Sequence, residues 1–290
     1  MLFRSGDWTP EIKQPQQRPG NLIWIASYPK SGNTWVRLIL RAATRQDMDL
    51  SKPDRVSLSF ADRVRAYMEM NGLRASDPGE TRQHWKAAQE ICSTLLESYP
   101  PFRAKFLKTH NIAGQFDTGL FPEPGLTAGA IYIIRDPRDV ALSMAHHFSI
   151  PIEKSVCRLM KQDRVIANAQ NRRAELVTDW GTHVRSWLAA AMPARLVLRY
   201  EDMLADAESS VVEILKFCGV EPDPGLVRHC LRATRFDALQ SAENREGFIE
   251  APRKTFFRAG RSGQWRAENP ALFAPIAARY AGLMEKYGYL

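Results

Sequence analysis

No apolar run in this 290-residue chain approaches the roughly 20 residues that a membrane-crossing helix needs, which excludes a helical membrane span. Residues 1–20 are polar and carry Pro10, Pro15 and Pro19. They lack the apolar core of a secretory signal and read as a flexible N-terminal arm. Cysteine is scarce. Cys92, Cys157, Cys218 and Cys230 never fall at C-x-x-C spacing, which argues against a disulfide framework or a zinc site and leaves them as buried thiols. A reducing, cytoplasmic setting is the default for such a chain. Repeats, low-complexity tracts and long linkers are also missing, so one domain is expected over 21–290. A further lack is local: from Asn21 to Gln46 there is no acidic residue, while Lys30, Arg37, Arg41 and Arg45 fall there.

Aromatic residues are plentiful, with 13 Phe, 8 Tyr and 7 Trp, so the bulk of the chain has enough to bury and is not disordered. An excess of 40 Lys+Arg over 32 Asp+Glu leaves a net charge of +8 and predicts a preference for anions. Nucleic acid, an acidic membrane surface and a small phosphorylated ligand are all compatible with that charge. Segments 22–26, 104–108, 130–134 and 196–199 are short apolar runs of the kind found in buried parallel strands. Helices are expected from Asn33, from Asp136-Pro137, and from after Asp202 to Cys218, with Gly219 as C-cap. Strands alternating with helices predict an α/β fold, a three-layer sandwich around a mostly parallel sheet. The stretch 50–100, with its Asp77-Pro78-Gly79 turn, has no convincing strand and reads as a helical insertion over the sheet edge. The stretch 149–190 reads alike, with Trp180, Val184 and Trp187 on one helical face.

Ligands in open α/β sheets sit outside the carboxyl ends of the strands. Three loops lie there. Ser27 to Thr34 leads from the first strand into a helix, whose free N–H groups and dipole favour an anion; Gly32 permits close approach and Lys30 adds a full charge. It is not a Walker A loop, because Lys30 precedes the only glycine. Arg135 ends the strongest strand, and Ser143 lies two helical turns beyond Asp136 on the same face; guanidinium and hydroxyl together suit a phosphate. Lys108-Thr109-His110 ends another strand, where a neutral imidazole can take a proton from an attacking hydroxyl. His146-His147 can line the same pocket.

Together these residues resemble the cytosolic-type sulfotransferase family, which uses 3′-phosphoadenosine 5′-phosphosulfate (PAPS). Tyr28-Pro29-Lys30-Ser31-Gly32-Asn33-Thr34-Trp35 is similar to the family's phosphosulfate loop Y-P-K-S-G-T-T-W, with Asn33 the one change. The run from Arg135 to Ser143 is similar to its 3′-phosphate motif, Lys108-Thr109-His110 to its K-T-H, and Tyr200-Glu201-Asp202-Met203 to its Y-E-D-M. Arg258-Ala259-Gly260-Arg261-Ser262-Gly263-Gln264-Trp265 resembles R-K-G-x-x-G-[DE]-W, the loop that closes over the nucleotide. The matches fall in family order from about residue 22 onward.

The resemblance implies a P-loop-like phosphosulfate loop in which Lys30 and the backbone of Ser31, Gly32, Asn33, Thr34 and Trp35 hold the 5′ end. It implies that Arg135, Ser143, Arg258, Ala259 and Gly260 line the 3′-phosphate. Trp35 and Phe236 would stack on adenine, with Thr234 and Tyr200 hydrogen-bonding around the base. His110 would be the base, with Lys30 and Lys108 stabilising the transferring group, and no metal is implied. Ala259 departs from the family's Lys, a loss for which Arg261 or Lys254 would partly compensate, and Gln264 departs from an acid. The family's spaced K-T-V-E dimer motif is not visible between Trp265 and Tyr280, so the sequence leaves the oligomeric state open. The partner expected is a small acceptor, partly apolar if Phe60, Tyr67, Met68, Met70, Trp85 and Phe148 roof the site. A small-molecule kinase fits less well for want of a Walker lysine. A nucleic-acid-binding module fits less well because the cations cluster at ligand loops rather than in a stripe.

Overall fold

The structure, a computed structural model, describes residues 20–46, 48–73, 82–116, 119–162, 165–168, 173–251 and 255–290. Most of the expected N-terminal arm, the Asp77-Pro78-Gly79 turn and Lys254 lie outside the described residues.

Strand β1 (Leu22–Ser27) shows how the sequence builds the core. Its side chains alternate: Leu22, Trp24 and Ala26 enter one hydrophobic layer, Ile23 and Ile25 the other, and all six residues are buried. β1 is therefore the centre of a sheet covered on both faces. It pairs in parallel with β3 (Lys105–Thr109) and β6 (Thr127–Ile134). β2 (Ser57–Ser59) adds in parallel beyond β3, and β9 (Arg195–Arg199) beyond β6, giving the order β2-β3-β1-β6-β9.

The flanking layers come from helices with apolar faces. α1 (Asn33–Ala43), α8 (Ala207–Phe217) and α9 (Pro224–Ala233) cover Ile23, Ile25, Ile131 and Ile133 with Val36, Ile39, Val211, Ile214 and Val227. The opposite face takes α2 (Phe60–Met70), α3 (Trp85–Leu95), α4 (Pro137–Phe148), α5 (Ile152–Leu159), α6 (Trp180–Ala189) and α11 (Ala274–Lys286). Trp180, Val184 and Trp187 are fully buried there. The three-layer α/β arrangement is the one expected.

Several expectations are corrected. The stretch 50–100 does hold a strand, β2, too short at three residues to show a period in sequence. Two hairpins were also missed, β4 (Gly114–Phe116) with β5 (Gly119–Phe121) and β7 (Val165–Asn168) with β8 (Arg173–Leu176). The helix expected after Asp202 is two: α7 (Tyr200–Ala205) ends at Asp206, whose extended backbone and side chain cap α8 by accepting from Ser209 N–H. Cys157 is exposed on the outer face of α5, although the other three thiols are buried. Phe60, Met68 and Trp85 do not roof a pocket. They are core: Phe60 meets Trp24 edge-on at 5.0 Å and stacks on Phe121 at 5.3 Å. Met70 points away at 82% exposure, leaving Tyr67 and Phe148, both half-buried, of the proposed roof. α10 (Phe236–Glu246) and the loop after it pack on α1 in a third, smaller cluster of Leu239, Phe248 and Phe257 with Leu38 and Leu50.

Candidate active site

Because β3, β1 and β6 are parallel neighbours in near-matched register, their carboxyl ends deliver His110, the loop after Ser27 and Arg135 side by side. In the central loop Lys30 (φ 70°) and Gly32 (φ 105°) are both left-handed. Such reversals turn successive N–H groups into one concavity, an anion-binding nest. The N–H groups of the first turn of α1 add to it, since they lack intrahelical carbonyls. A side chain at 32 is excluded twice, by φ and by the Tyr200 ring, which would lie 2.6 Å from an added Cβ. Asn33 is explained locally: its Nδ2 donates to Ile25 O at 3.0 Å and lies 3.4 Å from Ser27 Oγ, tying the loop back to β1. Ser31 Oγ is buried with no hydrogen-bond partner among the described residues. Lys30 Nζ lies 4.5 Å above the Phe256 ring and 3.5 Å from His147 Nδ1. Burial first, then the neighbouring Arg135 charge, lowers its pKa to about 8 against the opposing pull of Glu250.

Arg135 is nearly buried. Nη1 donates to Lys30 O at 3.1 Å, Nη2 lies 3.4 Å from Arg261 O, and the guanidinium sits 4.3 Å from the Tyr200 ring centre. Its Nε has no partner among the described residues. Asp136 caps α4 as expected, accepting from Arg138 N–H, with Pro137 in the first turn. Ser143 is half-buried two turns along α4.

The expected closing loop reaches the site through Asp139, whose carboxylate accepts from Gly263 N–H at 2.6 Å and Trp265 N–H at 3.1 Å. Gly260 (φ 55°) lies against Phe236, whose ring would stand 2.3 Å from an added Cβ. Ala259 is half-buried, and Arg258 is exposed, donating to Gln264 Oε1 at 2.8 Å; the amide at 264 therefore serves as the acceptor an acid would have been. Trp35 meets Tyr200 edge-on at 6.1 Å. Thr234 is buried, and its hydroxyl donates to Cys230 O at 2.8 Å.

His110 is held at three points. Nδ1 lies 2.8 Å from Ser27 O, so it carries the proton and leaves the lone pair on Nε2. Its N–H donates to Glu175 Oε1 at 3.0 Å, and its carbonyl accepts from His183 Nε2 at 3.1 Å. His183 Nδ1 in turn accepts from Tyr132 O–H at 2.9 Å. Burial and the Lys108 ammonium lower the His110 pKa to about 4, with Glu175 opposing. Lys108 Nζ is 3.4 Å from Glu175. Sequence reasoning missed Glu175, His183 and Glu250. Only the helical-face position of His183 beside Val184 and Trp187 offered a signal.

Residues 21–279 match the family model for the sulfotransferase domain. The chain belongs to the sulfotransferase family. Among its sulfotransferase relatives, bovine (Bos taurus) sulfotransferase 1A1 is 26% identical over 285 residues, covering 91% of this chain and 84% of that protein. Flavonol 3-sulfotransferase of Flaveria bidentis is 23% identical over 267 residues, covering 85% and 76%. Two solved structures share the sulfotransferase fold at 20% identity. Retinol dehydratase in complex with androsterone and the inactive cofactor PAP superposes with a TM-score of 0.60, covering 92% of this chain and 81% of that one. Mouse sulfotransferase SULT7A1 complexed with PAP gives 0.57, covering 92% and 84%.

Proposed function

We propose that this sulfotransferase moves a sulfuryl group from PAPS to a hydroxyl or amine of a small organic acceptor, with His110 as general base and Lys30 stabilising the leaving phosphate. One observation carries the reading: the anion nest at Lys30–Gly32, the buried Arg135 and the free Nε2 of His110 stand on three adjacent strand ends. The residues fit the donor. Ser31 Oγ and Arg135 Nε are buried polar atoms without partners among the described residues, and Gly32 and Gly260 stand where rings already fill the space of a Cβ. The PAP-bound neighbours support the same donor, and the relatives named for flavonols support a small acceptor.

Bound PAPS supplies an activated sulfuryl group. In this chain Lys30 and the N–H groups of Ser31, Gly32, Asn33, Thr34 and Trp35 hold its 5′ end; Arg135, Ser143, Arg258 and the backbone of Ala259 and Gly260 hold its 3′-phosphate. Trp35 and Phe236 flank the adenine, with Tyr200 and Thr234 around its edge. The acceptor oxygen forms a bond to sulfur as the sulfur–phosphate oxygen bond breaks, and its proton passes to His110 Nε2. Products are the sulfated acceptor and 3′-phosphoadenosine 5′-phosphate (PAP). Lys30 neutralises charge growing on the bridging oxygen, and Lys108 binds the transferring group. The depressed His110 keeps its imidazole neutral near pH 7, and the donor's negative charge raises its basicity once bound. Free thiols at all four cysteines support a reducing, cytoplasmic setting.

The test is His110→Ala, assayed with labelled PAPS against a panel of acceptors. Turnover is expected to fall by about 10²–10⁴-fold, the usual worth of a general base, with PAP affinity within a few-fold of wild type. Turnover within tenfold of wild type would refute the assignment.

A further inference from the structure

Glu250 belongs to no helix or strand. It follows α10 on a stretch tied down by Ile249 N–H to Leu50 O at 3.1 Å. Its carboxylate is turned onto the start of α1: Oε1 accepts from Arg37 Nη1 at 2.6 Å, and Oε2 lies 3.5 Å from Thr34 Oγ1. Thr34 is part of the anion loop, and Arg37 stands one turn further along α1. The carboxylate thus sits beside the anion loop, within reach of the hydroxyl of Thr34, a residue whose backbone N–H is assigned to the donor's 5′ end.

The surrounding charges agree with that placement. Glu250 is about one-third exposed, and Lys30 from the loop, Lys108 from β3, His110 just after β3 and Arg37 from α1 all act on it and, with its hydrogen bond to Arg37, hold its carboxyl below the usual range. Asp54 lies on the far side of Arg37. Arg37 does not require Glu250 as a partner, because Asp54 at 3.0 Å and Ser57 Oγ at 3.1 Å already hold its guanidinium. A carboxylate paired with Arg37 beside the anion loop, in the field of Lys30, Lys108 and His110, answers the same cations that would attract an anionic ligand.

We infer that Glu250 is an internal anion in the donor subsite: it holds Thr34 and Arg37 when the site is free, and the phosphosulfate end of the donor displaces it on binding. The inference rests on the PAPS reading above. Its consequence is that Glu250 sets donor and product affinity, keeping the cationic site neutralised between turnovers and hastening departure of the bisphosphate product.

The sign of the effect makes the inference testable. At pH 6.5, where Lys30 is charged, calorimetric titration of the full-length protein with PAP is expected to show about tenfold tighter binding to Glu250→Gln than to wild type, since a like charge leaves the subsite. Stopped-flow release of PAP should slow to match. Damage to the fold weakens ligand binding, so a gain cannot come from that source. Glu250→Asp keeps the charge but is too short to reach Thr34, and is expected to fall between the two; it stands in should the Gln variant fail to fold. Unchanged or weaker PAP affinity in a folded variant, with wild type binding normally, overturns the inference alone. No PAP binding by wild type would instead overturn the donor reading, and the inference with it.

Discussion

Lys30 carries a quantitative prediction about pH. In the free enzyme its half-buried ammonium is partly desolvated beside the Arg135 guanidinium, and its pKa is lowered to about 8. The sign follows: lowering favours the neutral amine, so the charge that attracts the donor is present below pH 8 and lost above it. Between pH 7 and pH 9 the charged fraction falls from about nine-tenths to about one-tenth, so kcat/KM for PAPS should drop about tenfold, since that ratio reports the free enzyme's groups. The kcat profile should stay flat to higher pH, because a bound phosphosulfate beside Lys30 raises its pKa again. The assay is initial rates at varied PAPS and saturating acceptor across pH 6–10, with an acceptor that does not itself ionise in that range. Lys30→Arg supplies the control, since a guanidinium keeps its charge throughout. Two results would refute the reasoning: a kcat/KM profile level to pH 10, or a limb near pH 8 that persists in Lys30→Arg.

Other consequences follow from the same geometry. Gly260→Val places a branched side chain at positive φ, with its Cβ 2.3 Å from the Phe236 ring; KM for PAPS should rise at least tenfold while an acceptor's own KM changes little in steady-state assays. Asp139→Ala removes a buried carboxylate that holds two N–H groups of the closing loop, bonds worth about 1.5–3 kcal/mol each, so PAP release in stopped-flow should quicken more than tenfold. His110, half-buried, and His183, fully buried, have pKa values lowered from 6.5 to about 4 and about 3. Both are neutral in the fold and charge on unfolding, so their stabilisation is full above pH 6.5 and drains away as pH falls. By about pH 4.5 His183 alone should cost about 3 kcal/mol, visible as a falling urea midpoint that flattens in His183→Gln.

The parts legible in sequence are those with local signals. The central strands show as apolar runs, Asp136-Pro137 announces a helix start, and the loop from Tyr28 to Trp35 combines charge, glycine and a following helix. What sequence could not show depends on neighbours far along the chain. β2 has three residues and exists because β3 offers it an open edge. Phe60 and Trp85 look the same in sequence whether they face a ligand or Trp24 and Phe121; their helices' packing against the sheet decided it. Glu175 and Glu250 are single acids, with no spacing that links them to His110 or Lys30. Only the fold brings Glu175 to the backbone of a residue 65 positions earlier.

That last contact has a bearing on divergence and redesign. The β7–β8 hairpin lies within the stretch 149–190, between α5 and α6. Here the same hairpin grips the N–H of His110 and the ammonium of Lys108 through one carboxylate. If His110 is the base proposed above, replacing this hairpin would therefore retune proton transfer. A chimera that keeps its chemistry has to inherit β3 and the hairpin as a matched pair.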